Sequence, residues 1–496
     1  MICWRGFDAF PEIGAICSTG LALERAAFAE ESMCRRAPCG CKGESKMVKR
    51  QIADFGIHKA LKMLRSNPDK ALARILNIMD LVARGSMPSQ RRKIREGLED
   101  PNSNVRGMVN RALTEIDPEV FDSLTATFAI DASLASWHRQ EEMREKYQCN
   151  IPWAILLDPT SACNLKCVGC WAADYGNRLN LTYEEMDSII DQGVELGVHF
   201  YIYTGGEPLV RKRDLIALCE AHPDCVFLSF TNGTLVDQAF CDELKRVKNF
   251  IPAFSVEGDE ESTDARRGLG TYAKVVRAME LMRENGLPFG ISCCYTSENF
   301  EAVSSDAYVH QLIDWGALFV WYFHYMPVGS DANTQLMVSP EQREAMYHTV
   351  RRWRDTLPIF PMDFQNDGQY VQGCIAGGRR YLHINAAGDA DPCVFVHFSD
   401  SNIREKTLLE CLQSPLFMAY HDGQPFNDNY LRPCPMLENP DKLREIIAKT
   451  GAKSSNLEGE ETVEMLCSRC DRYAQEWVAT ADKLWEIDHT AAPFCR

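Results

Sequence analysis

The chain has 496 residues, of which 45% are apolar and 25% are charged, as in ordinary folded proteins. Its length exceeds what one hydrophobic core usually serves, so we expect roughly two to four domains. The 53 Lys and Arg residues and the 70 Asp and Glu residues leave a net charge of −17, which repels nucleic-acid phosphates and argues against a nucleic-acid partner.

The 21 cysteines point to metal or cluster ligation rather than to disulfides. Disulfide frameworks belong to short secreted chains, whereas several cysteines of this long chain stand at the short spacings of metal sites. No apolar run approaches the ~20 residues of a transmembrane helix, and residues 1–46 lack the pattern of a signal peptide. We therefore predict a cytoplasmic protein without a transmembrane segment.

The first 46 residues form the least regular part of the sequence. Met47 opens a basic, amphipathic segment that is typical of a natural start, so we interpret residues 1–46 as a disordered extension or an artefact of upstream translation. Three of the cysteines in this stretch, Cys34, Cys39 and Cys41, leave a small metal site as the alternative.

Residues 47–148 carry helical patterns. Asn67 and Pro68 read as an N-cap and first helical residue, and apolar residues then recur at helical spacing as far as Gly85. Similar spacing continues through residues 105–148. This predicts an all-helical region that is either a packing appendage or a cap over a greasy substrate.

Residues 149–345 alternate short β-rich runs with helical ones. Each interval is long enough for a crossover helix, which favours parallel strands, and a capping box at Thr182 and Glu185 supports the first such helix. We predict an α/β fold with a partial (β/α)6 barrel. The predicted strands are residues 153–157, 199–203, 225–230, 251–256, 289–293 and 319–324.

Three cysteines follow the first predicted strand directly, as Cys163, Cys167 and Cys170. Three thiolates on one tight loop suit an iron–sulfur cube with one iron free of protein ligands. A zinc site and a chance cluster of cysteines stay open as alternatives.

Motifs also follow the next strands, at the edge where α/β barrels place their active sites. Gly205, Gly206 and Glu207 end the second strand, and the carboxylate of Glu207 suits a cationic amine. Each of these motifs alone is common in ordinary turns. Their occurrence in order, each after a predicted strand, indicates a shared functional site. The later strands are followed by Asn232, by Ser255 and by Arg267.

This ordered set resembles the radical S-adenosylmethionine (radical SAM) superfamily over about residues 150–345. The resemblance implies a [4Fe–4S] cluster on Cys163, Cys167 and Cys170, with SAM bound to its open iron. It also implies SAM-binding roles, as expectations, for further residues. Gly205, Gly206 and Glu207 would hold the methionyl amine, Asn232 and Ser255 would approach the ribose or carboxylate, and Arg267 would pair with the carboxylate.

One position departs from the family's pattern. Members usually carry an aromatic residue just before the third cysteine, where it contacts adenine, but this sequence has Gly169. Trp171, one residue after the third cysteine, either replaces this aromatic residue at the adenine or packs against the protein. His324 and Tyr325, after the sixth strand, are the best candidates for substrate contact, with a structural role as the alternative.

The region 346–496 carries a second set of cysteines: Cys374, Cys393, Cys434, Cys467 and Cys470. A predicted hairpin separates Cys374 from Cys393. The layout resembles the SPASM or twitch extension of peptide-modifying radical enzymes, although a denser run of cysteines is missing. We expect one auxiliary [4Fe–4S] cluster, with structural zinc as the alternative.

These features predict an enzyme that cleaves SAM reductively to a 5′-deoxyadenosyl radical and removes hydrogen from a substrate. The layout favours a peptide substrate in a maturase-type reaction, and a low-potential electron donor such as flavodoxin or ferredoxin. Modification or coupling of a lipid or small molecule is the alternative, since the N-terminal region carries only helices. A non-catalytic protein that binds zinc or a cluster is the alternative of another class.

Overall fold

The structure is a computed structural model that describes residues 63–64, 67, 70–74, 76–77, 88–329, 331–456 and 458–491. The interpretation of residues 1–46, and the start at Met47, lie outside these residues. In the part of the chain that is described, no helix has the length and apolar character needed to cross a membrane.

The described N-terminal region is helical. Asp117 caps α3 by accepting hydrogen bonds from the amides of Glu119 and Val120, and Pro118 takes the first helical position. Arg111 of α2 donates to the carbonyls of Ala317 and Pro358, which ties these helices to the following domain. The elements are α1 (Pro88–Glu99), α2 (Asn104–Glu115), α3 (Pro118–Ala126), a π-helical segment (Thr127–Ala135) and α4 (Ser136–Tyr147).

A nine-stranded sheet forms the centre of the molecule, in the order β7-β6-β5-β4-β3-β2-β1-β8-β9. All neighbouring strands run parallel except β9, which pairs antiparallel with β8 in the predicted hairpin. The strands are β1 (Ala154–Leu157), β2 (Phe200–Tyr203), β3 (Val226–Thr231), β4 (Phe250–Ser255), β5 (Gly290–Tyr295), β6 (Phe319–His324), β7 (Phe360–Asp363), β8 (Tyr381–Ile384) and β9 (Ala390–Asp391). The predicted α/β class and the six predicted strands are therefore confirmed.

Helices connect the parallel strands and cover the outer face of the sheet. The capping box of α5 is present, since the hydroxyl of Thr182 accepts from the amide of Glu185 and the carboxylate of Glu185 accepts from the amide of Thr182. The connecting helices are α5 (Tyr183–Leu196), α6 (Lys212–Ala221), α7 (Gln238–Val247), α8 (Glu260–Arg267), α9 (Thr271–Glu284), α10 (Phe300–Val303), α11 (Asp306–Trp315) and α12 (Pro340–Thr356).

The chain beyond β7 adds β8 and β9 to the sheet and then forms the C-terminal region. Its elements are α13 (Gly368–Val371), β10 (Phe398–Ser399), α14 (Leu408–Leu412), α15 (Pro415–Gly423), α16 (Pro440–Thr450), β11 (Lys453–Ser454) and α17 (Val463–Ala491), with β10 and β11 paired. Because β8 joins β1, the sheet continues past residue 345, where the sequence predicts a boundary. The division into domains stays a prediction.

Candidate active site

The cysteine loop leaves β1 and lies across the carboxyl ends of the neighbouring strands. Asn164 receives a hydrogen bond of 2.8 Å from the side chain of Asn232, and the amide of Val168 donates to the carbonyl of Arg266. These contacts fix the loop to the ends of β3 and α8. Cys163, Cys167 and Cys170 thereby open onto one cavity of about 830 Å³.

The donor set around the three thiols fits an iron–sulfur cluster. Cys163 is exposed at the cavity, and partial desolvation by its surroundings raises its pKa to about 11, so this thiol needs a positive partner to become the thiolate that ligates metal. The guanidinium of Arg267 is such a group for the loop, because its Nη1 lies 3.8 Å from Cys167 Sγ. Hydrogen bonds to cluster sulfurs and nearby positive charge tune reduction potentials.

Glu207 is fully buried and held by three donors. Its Oε1 accepts from the hydroxyl of Thr231 at 2.6 Å and from the amide of Leu209 at 2.9 Å, and its Oε2 accepts from the amide of Asn232 at 2.8 Å. Burial raises the pKa of this carboxyl despite these donors. A carboxylate has lone pairs beyond those used here, so Glu207 fits a cationic amine that enters the cavity it lines.

The neighbouring glycines lie close to the cysteine loop. A Cβ atom at Gly205 would stand 2.8 Å from the side chain of Asp158, and one at Gly206 would stand 2.2 Å from the carbonyl oxygen of Ala162. Gly205 also has φ of +97°, a conformation that favours glycine. Both glycines therefore permit the close approach of the β1 and β2 loops, and both line the cavity.

Arg266 and Arg267 share one buried carboxylate, Glu257. Both guanidinium groups donate to it, with 2.9 Å between Arg266 Nη1 and Glu257 Oε1. Burial alone would raise the pKa of Glu257, but the two arginines outweigh it and lower that pKa. The main partner of Arg267 is thus Glu257, and its Nη1 approaches Cys167 of the cysteine loop. The sequence analysis expected Arg267 to pair with the carboxylate of SAM instead.

Asn232 and Ser255 both line the cavity, at the ends of β3 and β4. The Asn232 carboxamide oxygen accepts from Thr234, while its nitrogen donates to Asn164, so its side chain joins the cysteine loop to β3. The sequence analysis missed this link. Asn164 and Asn232 are 68 positions apart in the chain, so only the folded structure brings them together.

Tyr325 explains the glycine before the third cysteine. Gly169 has φ of +63°, and a Cβ atom there would lie 2.5 Å from Cε2 of Tyr325. The ring of Tyr325, which is buried at the end of β6, therefore packs directly on Gly169. Trp171 instead makes edge contacts with Tyr175, His383 and His397, although it also lines the cavity.

His324 lines the same cavity with a buried imidazole ring. It is 1% exposed, and neither ring nitrogen has a hydrogen-bond partner among the residues that the structure describes. Burial, and then the positive charge of Arg343, lower its pKa well below the ordinary value, so the imidazole is neutral. A neutral imidazole offers one donor and one acceptor to a bound molecule.

The cysteines of the second set share one apolar cluster with Tyr381 of β8. Burial raises the pKa of Cys374 to about 12. Burial, and then the carboxylate of Glu438, raise the pKa of Cys434. Cys467 and Cys470 lie on α17, and both are fully buried. Tyr420 lies in the same apolar cluster, and burial raises the pKa of its hydroxyl.

Comparison with known proteins agrees with this geometry. Residues 157–305 match the model of the Radical SAM superfamily, and this range contains the cysteine loop and the ends of β2 to β4. The chain is 27% identical over 284 residues to the PqqA peptide cyclase of Granulibacter bethesdensis, covering 54% of this chain and 76% of that protein. It is 31% identical over 231 residues to the Fe-coproporphyrin III synthase of Methanosarcina barkeri, covering 44% of this chain and 57% of that protein.

A solved structure shares the fold. The crystal structure of Streptococcus suis SuiB bound to the precursor peptide SuiA aligns with a TM-score of 0.51 at 18% identity, over 72% of this chain and 81% of that one. The superfamily match and the similar proteins, which are enzymes, exclude the non-catalytic alternative. With three thiols, Glu207 and Arg267 around one cavity, the chain is an enzyme with a Radical SAM domain at residues 157–305 and a C-terminal region that resembles a SPASM extension.

Proposed function

We propose that the chain cleaves SAM at a [4Fe–4S] cluster on Cys163, Cys167 and Cys170 and takes a hydrogen atom from a substrate in the barrel. The observation that carries this proposal is that these thiols open onto the same cavity as the strand-end motifs. When bound, the cluster and SAM supply the electron and the 5′-deoxyadenosyl radical, and the protein supplies orientation and exclusion of water.

The strand ends bind the cofactor in this proposal. Glu207 accepts the methionyl amine, beside the backbone of Gly205 and Gly206, while Asn232 and Ser255 approach the ribose or carboxylate. Arg267 keeps Glu257 as its principal partner. Its remaining donor, Nη1, faces the cysteine loop and would pair with the carboxylate of SAM. These roles rest on the positions of the side chains around the cavity.

Tyr325 takes the role of the missing aromatic residue. Its ring occupies the space beside Gly169, directly before the third cysteine. The ring is held in place because the amide of Asn333 donates to its hydroxyl at 3.0 Å. Tyr325 therefore offers the aromatic face for adenine from β6, while Trp171 packs against the residues beneath the loop.

The substrate has two candidate classes. A peptide in a maturase-type reaction is supported by the similarity to PqqA peptide cyclases. A lipid or other apolar small molecule is supported by the cavity walls, which are formed largely by aromatic and aliphatic side chains. The similarity to proteins named for heme and Fe-coproporphyrin III synthesis also favours a substrate that is not a peptide.

An auxiliary [4Fe–4S] cluster on Cys374, Cys393 and Cys434, completed by Cys467 or Cys470, is also part of the proposal. All five cysteines of the set belong to, or pack against, one apolar cluster, which supports a shared site. Structural zinc on these thiols stays the alternative. A low-potential donor such as flavodoxin or ferredoxin would reduce the clusters in the cytoplasm.

Anaerobic reconstitution of the full chain with iron and sulfide, followed by SAM and dithionite, tests the proposal. We expect 5′-deoxyadenosine to accumulate, and we expect Cys167→Ala to abolish it. Cys241→Ala, in the buried core of α7, is the matched control and keeps the activity. Failure of the reconstituted protein to form 5′-deoxyadenosine would contradict the proposed function.

A further inference from the structure

The inner wall of the barrel is largely apolar on the amino-terminal side of the strand-end motifs. On β6, Phe319, Trp321 and Phe323 point to the cavity, because they alternate with the fully buried Val320 and Tyr322. Six strand residues span about 17 Å. The apolar wall therefore extends well beyond the space around the cysteine loop.

The cavity reaches the amino ends of the strands. Ala154, Phe200 and Tyr381 begin β1, β2 and β8, stand in register with one another, and all line the cavity. Phe128 of the π-helical segment lies over this end, edge to face with Trp153, and is 41% exposed. We call the part of the cavity between this end and the strand-end motifs the lumen.

The lumen offers few partners to a polar chain. Tyr381 already shares its hydroxyl hydrogen bond with Cys393, and Trp153 donates its ring nitrogen to the carbonyl of Ala132. The other polar groups on this part of the described lining are few, namely the hydroxyls of Thr125 and Ser292 and the ring nitrogen of Trp321. A peptide in the lumen would bury N–H and C=O groups without partners, which is costly. A hydrocarbon chain leaves no such group unpaired.

A cation stands at the amino end of the lumen. Arg380 lines the cavity directly before β8, with its Cζ 4.9 Å above the ring of Trp137. Burial, followed by the charges of Arg144 and Arg379, lowers its pKa to about 10. Arg144 and Arg379 donate to backbone carbonyls. Glu141 offsets part of the charge of Arg144 and Arg380, and an anion beside the three arginines would offset more of it.

We propose that the lumen holds the hydrocarbon chain of an anionic amphiphile, with its carboxylate or phosphate group at Arg380 and its distal carbons toward the cysteine loop. This rests on the proposed function and names the substrate class of the same site. In the reaction, one C–H bond of the chain breaks and its hydrogen atom joins the 5′-deoxyadenosyl radical, giving 5′-deoxyadenosine and a carbon radical far from the head group.

Calorimetric titration of the reconstituted full chain with saturated fatty acids of increasing length tests this proposal. Burial of each further methylene should tighten binding by about fourfold until the chain fills the lumen, after which the affinity levels off. Acetate and inorganic phosphate test whether the arginines bind any small anion. If these bind as tightly as a long fatty acid, or if affinity does not depend on chain length, the proposal is wrong.

Variants separate the head-group contact from the lumen. Arg380→Gln should weaken binding of a fatty acid by roughly ten- to hundredfold and leave the alcohol of equal length unaffected, because only the acid uses a charge-assisted hydrogen bond. Arg472→Gln, whose side chain is 88% exposed on α17, is the matched control. Ile251→Trp, inside the lumen, should move the plateau to shorter chains.

The outcomes distinguish this proposal from the proposed function. If fatty acids do not bind but 5′-deoxyadenosine still forms with SAM and dithionite, the amphiphile is excluded and the radical chemistry stands. Equal weakening of acid and alcohol by Arg380→Gln would show a purely structural role for Arg380 and overturn the head-group contact. Tighter binding of an unstructured polar peptide than of any fatty acid would favour the peptide class instead.

Discussion

At the scale of single residues, the contact between Gly169 and Tyr325 shows how one side chain can replace another from a distant strand. The glycine and the tyrosine are 156 positions apart in the sequence, yet a Cβ atom on one would overlap the ring of the other. An aromatic residue at position 169 and a tyrosine at position 325 therefore exclude each other. In the proposed function, Tyr325 therefore provides the adenine contact in place of an aromatic residue at position 169.

Replacement of Tyr325 tests this role. Stacking of a base on an aromatic ring contributes about 1–3 kcal/mol, so we expect Tyr325→Leu to weaken SAM binding about tenfold and Tyr325→Phe to restore it. The measurement is the SAM dependence of the electron paramagnetic resonance signal of the reduced cluster. Trp171→Leu is the comparison variant, and loss of SAM affinity in that variant alone would assign the contact to Trp171.

At the scale of elements, a buried ion triad joins three strands beneath the cysteine loop. His383 of β8 lies 3.0 Å from Asp158, which follows β1, and 3.3 Å from Asp391 of β9. Tyr175 donates to Asp391, and Trp171 packs on the His383 ring. The protonated imidazole is the positive partner of both carboxylates, and it holds the SPASM-like extension to the first strand of the barrel.

The stability of the protein should depend on pH through His383. Burial alone would lower its pKa, but Asp158 and Asp391 outweigh burial and raise it to about 10. Because the folded pKa exceeds the ordinary value of about 6.5, this stabilisation is complete below that value and is lost as the pH rises through about 10.

We therefore expect His383→Gln to lower the free energy of unfolding by about 3 kcal/mol at pH 7, and by less as the pH approaches 10. Urea unfolding of both proteins between pH 6 and 10 measures this difference. His310→Gln, on the exposed face of α11, is the control. A difference between the wild type and His383→Gln that stays constant with pH would contradict a charged His383.

At the scale of the whole molecule, buried polar and apolar contacts join the C-terminal extension to the barrel. Arg343 of α12 is fully buried, 2.7 Å from Glu438, and its guanidinium lies over the ring of Trp477 on α17. Glu438 in turn accepts from the amide of Cys434 at 2.8 Å. The position of the second cysteine set is therefore tied to a helix of the barrel.

Iron content tests the second cysteine set. We expect the reconstituted wild type to hold about four more iron atoms per chain than Cys434→Ala, because one cube is lost with its ligand. The control is Cys411→Ala, since Cys411 is buried in the apolar core of α14 and away from the set. Zinc in place of the additional iron in the protein as purified would favour the structural zinc site.

The sequence by itself determined the parallel α/β fold and the order of the strand-end motifs. Alternation of apolar runs with helical periods sets which face each element buries, and carboxyl ends of parallel strands meet at one edge, so Cys163, Glu207 and Asn232 converge for local reasons. Strands β7 and β8 escaped prediction as members of this sheet. Their pairing with β6 and β1 depends on contacts between distant segments, for which a single sequence carries no periodic signal.

Only the tertiary structure decided the contacts that join residues far apart in the chain. Tyr325 on Gly169, Glu257 between two arginines, and Arg380 at the amino end of the lumen arise because folding brings separate strands together. The apolar character of the lumen likewise depends on every second residue of eight strands facing one space, and a strand shifted by one residue would turn those side chains outward. The sequence therefore determined the chemistry near the cysteines, and the packing of the barrel decided the shape and polarity of the space it acts upon.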